Sequence, residues 1–496
     1  MTPAKWLFAI LMLATGVVLL AIVRPEAAGW YLVPSTSLFL IGVAMIIEGW
    51  RRRRSVLTPL VVGGLMIAWN LGLSPILVAA LDHRPAFAWI GSPLRDALAP
   101  VGAFHLLGVL LGFGIIHLVW RPTALWGKAV ATPIIHEPWQ YRRRPFLLVT
   151  AVTAAMMLYV IARVGPAEFF SPMMGAQDVT FMAGLGLPLW LGESVFLVIA
   201  LWLLLAARKR GMRIGLVGLV TICGMFLVAK LAFGGLHGSR SATIWAMLWL
   251  LLLFDSIVRP VRRSEWVAIA MGGFLFTYAY GFYKSLGAEA GAALLDQAVR
   301  TGLAEDFNRT GEDVVLGDLS RAAVHGLLWE RLITRDAAEL GNGRTYLAAL
   351  TLWLPSGLLA DPLPSKSVVG SAIENNLTIS SARQVPATRQ YGISGEAALN
   401  FGVIGFIIGP LLYVLAVGIL QRRESLSLAR GSPQGLLISR LLATLMVSVM
   451  LSDLDNWIVL LVRLSPLLAV VWMGVQEPAR ARSPSPFPRQ PMVSRA

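Results

Sequence analysis

Twelve apolar runs of membrane-spanning length constrain what this chain can become. They lie near residues 5–23, 31–50, 55–80, 98–120, 146–163, 183–206, 214–233, 242–258, 264–283, 396–420, 435–452 and 456–475. A hydrocarbon core of about 30 Å takes roughly 20 residues of α-helix, and a helix satisfies its own backbone polar groups there. The chain is 56% hydrophobic and 14% charged, with a mean hydropathy of +0.70, more apolar surface than a soluble domain of this size buries. The expected fold is an all-α polytopic integral membrane protein of about twelve transmembrane helices with one large external loop. The first run, Lys5 to Val23, is longer than a signal-peptide core and lacks a small-residue cleavage pattern, so it is expected to be retained.

The charge follows the topology. Forty-two Lys and Arg face 27 Asp and Glu, a formal net charge of +15. The cations gather at Arg51 to Arg54, Arg142 to Arg144, Arg208-Lys209-Arg210, Arg259 with Arg262 and Arg263, and Arg422-Arg423, each after an even-numbered run. The tail, with Arg480, Arg482, Arg489 and Arg495, falls on the same side. Positive loops mark the cytoplasmic face, so both termini are expected inside. The basic balance is thus topological, and nucleic acid is not an expected partner. The single cysteine, Cys223, sits in an apolar run, which leaves neither a disulfide framework nor a thiolate metal site. There is no Walker loop, HExxH, Gly-x-Ser-x-Gly or Cys/His metal spacing, and no cofactor or metal is expected.

Four segments follow: helices one to nine over 1–283, a polar insert over 284–395, helices ten to twelve over 396–475, and a Pro/Ser/Arg-rich tail over 476–496, expected to be disordered. The insert falls outside the cytoplasm. Eight of its ten basic residues are Arg, the residue suited to bidentate contact with phosphate or carboxylate. Helices are expected over LLDQAVRTGLAEDF and from Leu319 to Leu340. In the second, Arg321, His325, Leu332 and Arg335 share a narrow stripe. After the turn Gly341-Asn342-Gly343, TYLAALTLWLPSGLL is too short to span and reads as interfacial or re-entrant.

Arg240, in the loop GGLHGSRSAT, sits where the next helix begins, among Ser239 and Ser241. It reads either as an anion contact or as an interfacial anchor. Lys230, one stretch earlier, is expected to snorkel to the interface. Arg344 follows the Gly-Asn-Gly turn, Lys366 follows a Pro-rich break, and Arg383 and Arg389 flank Val385-Pro386. Salt bridges with the twelve acids of the insert are the alternative account of these cations. His325 reads as a satisfied buried histidine or a site residue. Glu396, directly after Gly395, opens helix ten. It is either a first-turn carboxylate matching the helix dipole or a general base. Within the spans, Glu193, His105, His117 and Arg463 are expected to face the bundle interior, and Asp453 and Asp455 are expected to pair with Arg463.

GSRSA at 238–242, GRTYLAAL at 343–350, the break from Leu354-Pro355 to Lys366, and GISGEAALNFGVIGFIIGPLL at 392–412 occur in that order. Together they resemble the O-antigen polymerase family, the Wzy-type oligosaccharide repeat unit polymerases. The resemblance covers roughly residues 214–420, and the first six helices by hydropathy alone. The chain departs from the family pattern where Ser356, not a basic residue, follows Pro355. The resemblance implies a C-type glycosyltransferase of the bacterial inner membrane. Such an enzyme moves a glycan from undecaprenyl diphosphate onto an undecaprenyl-diphosphate-linked repeat unit on the periplasmic face, without metal or nucleotide sugar. It also implies work beside a flippase and a chain-length regulator. Carried onto this chain, it makes Glu396 the base or acceptor-orienting carboxylate and Arg240, Arg344 and Arg389 the diphosphate contacts, supported by Arg383, Lys366 and His325. The rival expectations are an O-antigen ligase using the same donor, a lipid-linked oligosaccharide flippase, and a non-catalytic subunit of a glycan export machine.

Overall fold

The computed structural model describes residues 32–53, 57–81, 83, 94–120, 139–170, 184–212, 214–230, 233, 240–286, 296–297, 312–334, 339–352, 363–385, 387 and 389–476. The first apolar run, most of the helix expected over LLDQAVRTGLAEDF, most of the GGLHGSRSAT loop, the Pro355 segment and the tail from residue 477 lie outside them.

Every later apolar run falls on helical structure, all but the tenth on a single segment. In chain order these are α1 (Leu32–Arg53), α2 (Pro59–Ala80), α3 (Leu94–Trp120), α4 (Arg143–Val164), α5 (Gly186–Lys209), α6 (Leu216–Lys230), α7 (Arg240–Ile257) and α8 (Arg263–Leu286). The insert contributes α9 (Ala322–Thr334), α10 (Arg344–Leu350) and α11 (Lys366–Asn375); then come α12 (Gly392–Phe401), α13 (Gly405–Arg430), α14 (Pro433–Leu451) and α15 (Leu454–Gly474). Among the described residues, eight helical segments are long and apolar enough to cross a membrane. The protein is therefore an all-α, multi-pass membrane protein. Its lipid-facing belt is visible in the exposed apolar side chains of α4, α6 and α8, among them Leu158, Val217, Met225, Val228, Val267 and Met271; on a soluble protein such a belt would be an aggregation surface.

Three of the basic clusters meet at one end of the bundle. A two-residue antiparallel ladder joins β1 (Gln140–Tyr141) to β2 (Val475–Gln476). Beside it the Arg142 amide donates to Gly474 O at 2.9 Å. Arg208 donates to Ile257 O and lies 4.9 Å over the Trp139 ring, and Arg259 Nε donates to Ile214 O at 3.1 Å. Among the described residues, the polar segments 312–321, 339–352, 363–385, 389–391 and 451–455 gather at the other end.

The tenth expected run is not one helix. After Phe401 the chain turns at Gly402 (φ 65°, ψ −150°), a conformation natural only to glycine. α13 then runs back along α12. A Cβ on Gly405 would stand 2.2 Å from the backbone of Ala397 and Ala398, and one on Gly409 would stand 2.6 Å from Ser394 Cα. The glycines of GISGEAALNFGVIGFIIG thus build a tight helical hairpin. Hydropathy misses the break because both arms are apolar. Glu396 consequently lies mid-way along a short buried helix rather than at the mouth of a span. Of the expected helix from Leu319 to Leu340, Ala322–Thr334 is helical as α9 while Glu339 and Leu340 are not, and the run after Gly343 begins with the seven-residue α10; its continuation past Leu352 lies outside the described residues.

Candidate active site

The hairpin arm α12 carries the site, and three neighbours lock it. The Gly341-Asn342-Gly343 turn docks on its C-terminal end: the Gly341 amide donates to Leu399 O at 2.9 Å and the Asn342 amide to Asn400 O at 3.1 Å. Those carbonyls belong to the last turn of a helix, which has no partners of its own for them. Asn400 completes the join. Its Oδ1 accepts from the Gly343 amide at 2.9 Å, and its Nδ2 donates to Thr345 Oγ1 at 2.6 Å and to Glu396 O at 2.9 Å. The same side chain that closes α12 therefore sets where α10 begins, and with it Arg344 and Thr345.

Glu396 is 2% exposed. Its Oε1 accepts from Thr345 Oγ1 at 3.1 Å and its Oε2 from the Leu454 amide at 2.7 Å. The helix it caps is thus α15, not its own. A carboxylate at a helix N-terminus meets unpaired amides and the positive end of the dipole.

Asp453 binds three elements at the same point. Its Oδ2 contacts Lys366 Nζ from α11, its Oδ1 accepts from the Tyr391 amide at 2.7 Å, and its own backbone enters α15. Asp455 Oδ1 lies 3.2 Å from the same ammonium. Burial would pull the Lys366 pKa down, but the two aspartates outweigh it and hold the group above its ordinary range. Burial acts on Asp453 in the opposite sense, raising its pKa, with Asp455 adding to the rise. Contact with an ammonium and an amide at once favours the ionised pair. Asp453 and Asp455 therefore do not pair with Arg463, as their closeness in sequence suggests. Arg463 lies more than two helical turns away and meets Glu193.

A second ion pair backs the first. Tyr391 Oη donates to Glu374 Oε1 at 2.8 Å, and Arg389 NH1 lies 2.8 Å from Glu374 Oε2. Burial first, then Glu374, drives the Tyr391 phenol well above its usual range, so it stays a donor. Arg321 is saturated by protein: Nε to Leu451 O at 2.6 Å, NH1 to Gly317 O and Ser320 O, and NH2 to Gln390 Oε1 at 2.8 Å. His325, 3% exposed, donates Nε2–H to Tyr391 O at 2.9 Å, and burial holds its pKa down to about 4. Its ring centroid is 5.3 Å from that of His105, whose Nε2 meets Ser394 Oγ at 2.6 Å.

The expected site residues thus divide. Glu396, Lys366, Arg389, Arg344 and His325 converge on one polar node, but Lys366 and Arg389 are already met by carboxylates and His325 by a carbonyl. These three position the node instead of offering free contacts. Arg344 differs. Half-buried, it donates from Nε to Gly341 O at 3.1 Å and from NH2 to Leu340 O at 3.4 Å, and it meets no carboxylate among the described residues. Arg383 is exposed beyond the short helix Ile379–Ala382. Arg240 opens α7. Trp249 Nε1 donates to Thr444 Oγ1 at 3.0 Å and Ser256 accepts from Arg440 at 3.0 Å, so α7 and α14 run antiparallel. That register sets Arg240 at the end of the bundle that holds Asp453; its side chain lies outside the described residues. Sequence reasoning missed Asp453, Tyr391, Glu374, Thr345 and Asn400 as members of the node. Asn400 and Thr345 carried a signal, within GISGEAALNFGVIGFIIGPLL and GRTYLAAL, and Asp453 was singled out only as a partner for Arg463. Lys230, expected at the interface, is buried against Glu193.

The arrangement offers a buried carboxylate, a hydroxyl against it and an uncompensated guanidinium one residue from that hydroxyl, which suits proton transfer beside an anion. Among the described residues no group of His, Cys, Asp and Glu is placed to hold a metal ion. No protein-family model, curated protein or solved structure matches this chain.

Proposed function

We propose that this protein is a membrane-embedded glycosyltransferase of the bacterial inner membrane. It polymerises undecaprenyl-diphosphate-linked oligosaccharide repeat units into O-antigen or exopolysaccharide on the periplasmic face. In this reading the chain crosses the membrane twelve times, both termini are cytoplasmic, and the 284–395 insert is periplasmic. The observation that carries it is the pairing, at the end of the bundle opposite the basic clusters, of the buried Glu396–Thr345 contact with Arg344, a cation without a carboxylate among the described residues.

The chemistry follows from those groups. As the acceptor hydroxyl oxygen bonds to the donor's anomeric carbon, its proton passes to Glu396. The bond from that carbon to the bridging phosphate oxygen breaks, and undecaprenyl diphosphate leaves with the electron pair. Arg344, with Arg240 at the same end, meets the charge growing on that leaving group. Glu396 receives only two hydrogen bonds, and a carboxylate has about four acceptor positions, so it keeps capacity for the proton.

The test is mass spectrometry of lipid-linked glycans from a deletion strain, read beside a gel of its surface polysaccharide. Single repeat units accumulating on the outer face, with long chains gone, is the expected result. Long chains left on undecaprenyl diphosphate would instead mean a ligase, and repeat units held on the cytoplasmic side a flippase. Complementation with Glu396→Gln should restore less than about 1% of polymer at normal protein level, the loss of a general base. Arg344→Ala should fail in the same assay, with Arg344→Lys recovering only part.

A further inference from the structure

A second charged cluster lies inside the bundle, away from the node. Glu193 of α5, Lys230 of α6 and Arg463 of α15 meet around one oxygen. Lys230 Nζ is 3.0 Å and Arg463 Nε 3.2 Å from Glu193 Oε2. The side chains are 4%, 2% and 14% exposed for Glu193, Lys230 and Arg463 in turn. Arg463 lies nine residues into α15 and Glu193 seven into α5, so the cluster sits roughly 10–14 Å inside the helical ends nearest the node, at 1.5 Å per residue.

The charges do not balance. Two cations share a single carboxylate, and among the described residues no second acid lies against either. One positive charge is left over in apolar surroundings, where an unpaired ion is strongly disfavoured. The guanidinium fork is also unused. Its Nε faces Glu193 without forming a hydrogen bond, and its two terminal nitrogens have no acceptor among the described residues. Two parallel N–H donors with a buried ammonium beside them are what a phosphate takes bidentately.

The way in is lateral. α6 turns Val217, Val220, Met225 and Val228 outward, 62–80% exposed, and packs a stripe of Leu219, Phe226 and Lys230 inward, with Ile222 and Cys223 half-buried against the core. Lys230 closes that stripe at the helix end, so among the described residues α6 lies between the cluster and the exposed apolar face.

We infer that Glu193, Lys230 and Arg463 form a second anion site, within the membrane, for a phosphate or diphosphate group. Glu193 is the internal counter-ion that the anion competes with, and Arg463 supplies the fork. The site stands on its own charges whether or not the polymerase reading holds.

The experiment uses the full chain in nanodiscs of zwitterionic lipid, with thermal unfolding read against added undecaprenyl phosphate or inorganic diphosphate. Either probe should raise the melting temperature of the wild type. A shift from the lipid alone assigns a lipid-borne phosphate, and an equal shift from inorganic diphosphate assigns a free anion. Arg463→Gln leaves a neutral Lys230–Glu193 pair and should fold, yet the half-saturating concentration should rise tenfold or more. Glu193→Gln frees both cations and should lower it, an effect that a purely structural ion network would not produce. The inference is overturned if neither probe shifts the wild type, or if Arg463→Gln responds as the wild type does. It is also overturned if the shift is lost in Arg344→Ala but kept in Arg463→Gln, which would place the anion at the node. Should Glu193→Gln not fold, Arg463→Lys, which keeps the charge and loses the fork, should weaken the response severalfold; an unchanged response refutes the site.

Discussion

Replacing Lys366 with Met isolates the electrostatics of the node. The variant keeps the length and packing of the side chain but leaves Asp453, whose side chain is fully buried, with Asp455 and Glu396 as neighbours and no ammonium. A carboxylate stranded there takes up a proton rather than stay charged. Holding it protonated above an unfolded-state pKa of about 3.9 costs about 1.4 kcal/mol per pH unit. The penalty is therefore about 4 kcal/mol near pH 7 and about 1.5 kcal/mol near pH 5, the former within the range of about 3–5 kcal/mol for breaking a buried pair. The sign is fixed by linkage. In the variant the folded protein binds a proton that the unfolded chain lacks, so the deficit grows as pH rises above about 4 and fades as it falls toward that value. Lys366→Met combined with Asp453→Asn removes the stranded charge, while the new side-chain amide oxygen still accepts from the Tyr391 backbone amide. That double variant should recover all but about 1 kcal/mol. Reversible unfolding in mixed SDS and mild detergent, run near pH 7 and pH 5, gives the differences directly. A deficit of equal size at both pH values, or a double variant no better than the single one, would show that Asp453 is not the group left uncompensated.

His325 makes a pH dependence of the wild type itself. Its folded pKa of about 4 lies below the unfolded value of about 6.5, so the neutral form stabilises the fold fully above pH 6.5; that contribution, up to about 3 kcal/mol, is lost as pH falls toward 4. Unfolding titrations of wild type and His325→Phe across that window should converge on acidification. Gly405→Leu forces side-chain atoms into the Ala397–Ala398 backbone and should abolish the folded yield, measured as monodisperse protein after extraction, whereas the same change at Gly431, with no atom within 4 Å of a Cβ, strains only a left-handed turn and should cost about 1–2 kcal/mol. Thr345→Val removes the hydroxyl on Glu396 and should cut polymer yield at least tenfold in the complementation assay, with Thr345→Ser near wild type.

Apolar runs and basic clusters are legible because bilayer thickness and charge asymmetry act on composition, residue by residue. The reversal at Gly402 is not, since the hairpin arms are equally apolar and only contact geometry separates them from one long helix. Pairing is the other loss. A short stretch of shared chain suggests Arg463 as the partner of Asp453, yet nine residues of helix separate them by roughly 14 Å. The true partner, Lys366, is 87 residues upstream on another element. Lys230 ends an apolar helix, the pattern of an interfacial lysine, and only the three-helix contact with Glu193 and Arg463 reveals that it turns inward. Glu396 is legible as a residue to watch, but not as the cap of a helix that begins 58 residues later.

The two oxygens of Glu396 are not equivalent, and this bears on how a proton can arrive. Oε2 accepts from the Leu454 backbone amide, a donor that cannot turn around; protonating that oxygen would set two hydrogens against each other and release the start of α15. Oε1 faces the Thr345 hydroxyl, which can rotate and accept instead of donate. A proton reaching Glu396 therefore belongs on Oε1, with Thr345 reversing its hydrogen bond and the cap on α15 undisturbed. Asn400 makes that reversal workable, because its Nδ2 holds Thr345 Oγ1 in place from the other side at 2.6 Å. The hydroxyl's own hydrogen is then free to turn away from Glu396, on the helix that also carries Arg344. Proton acceptance and anion contact are so placed on one short helix, held by one asparagine to the hairpin that carries the carboxylate.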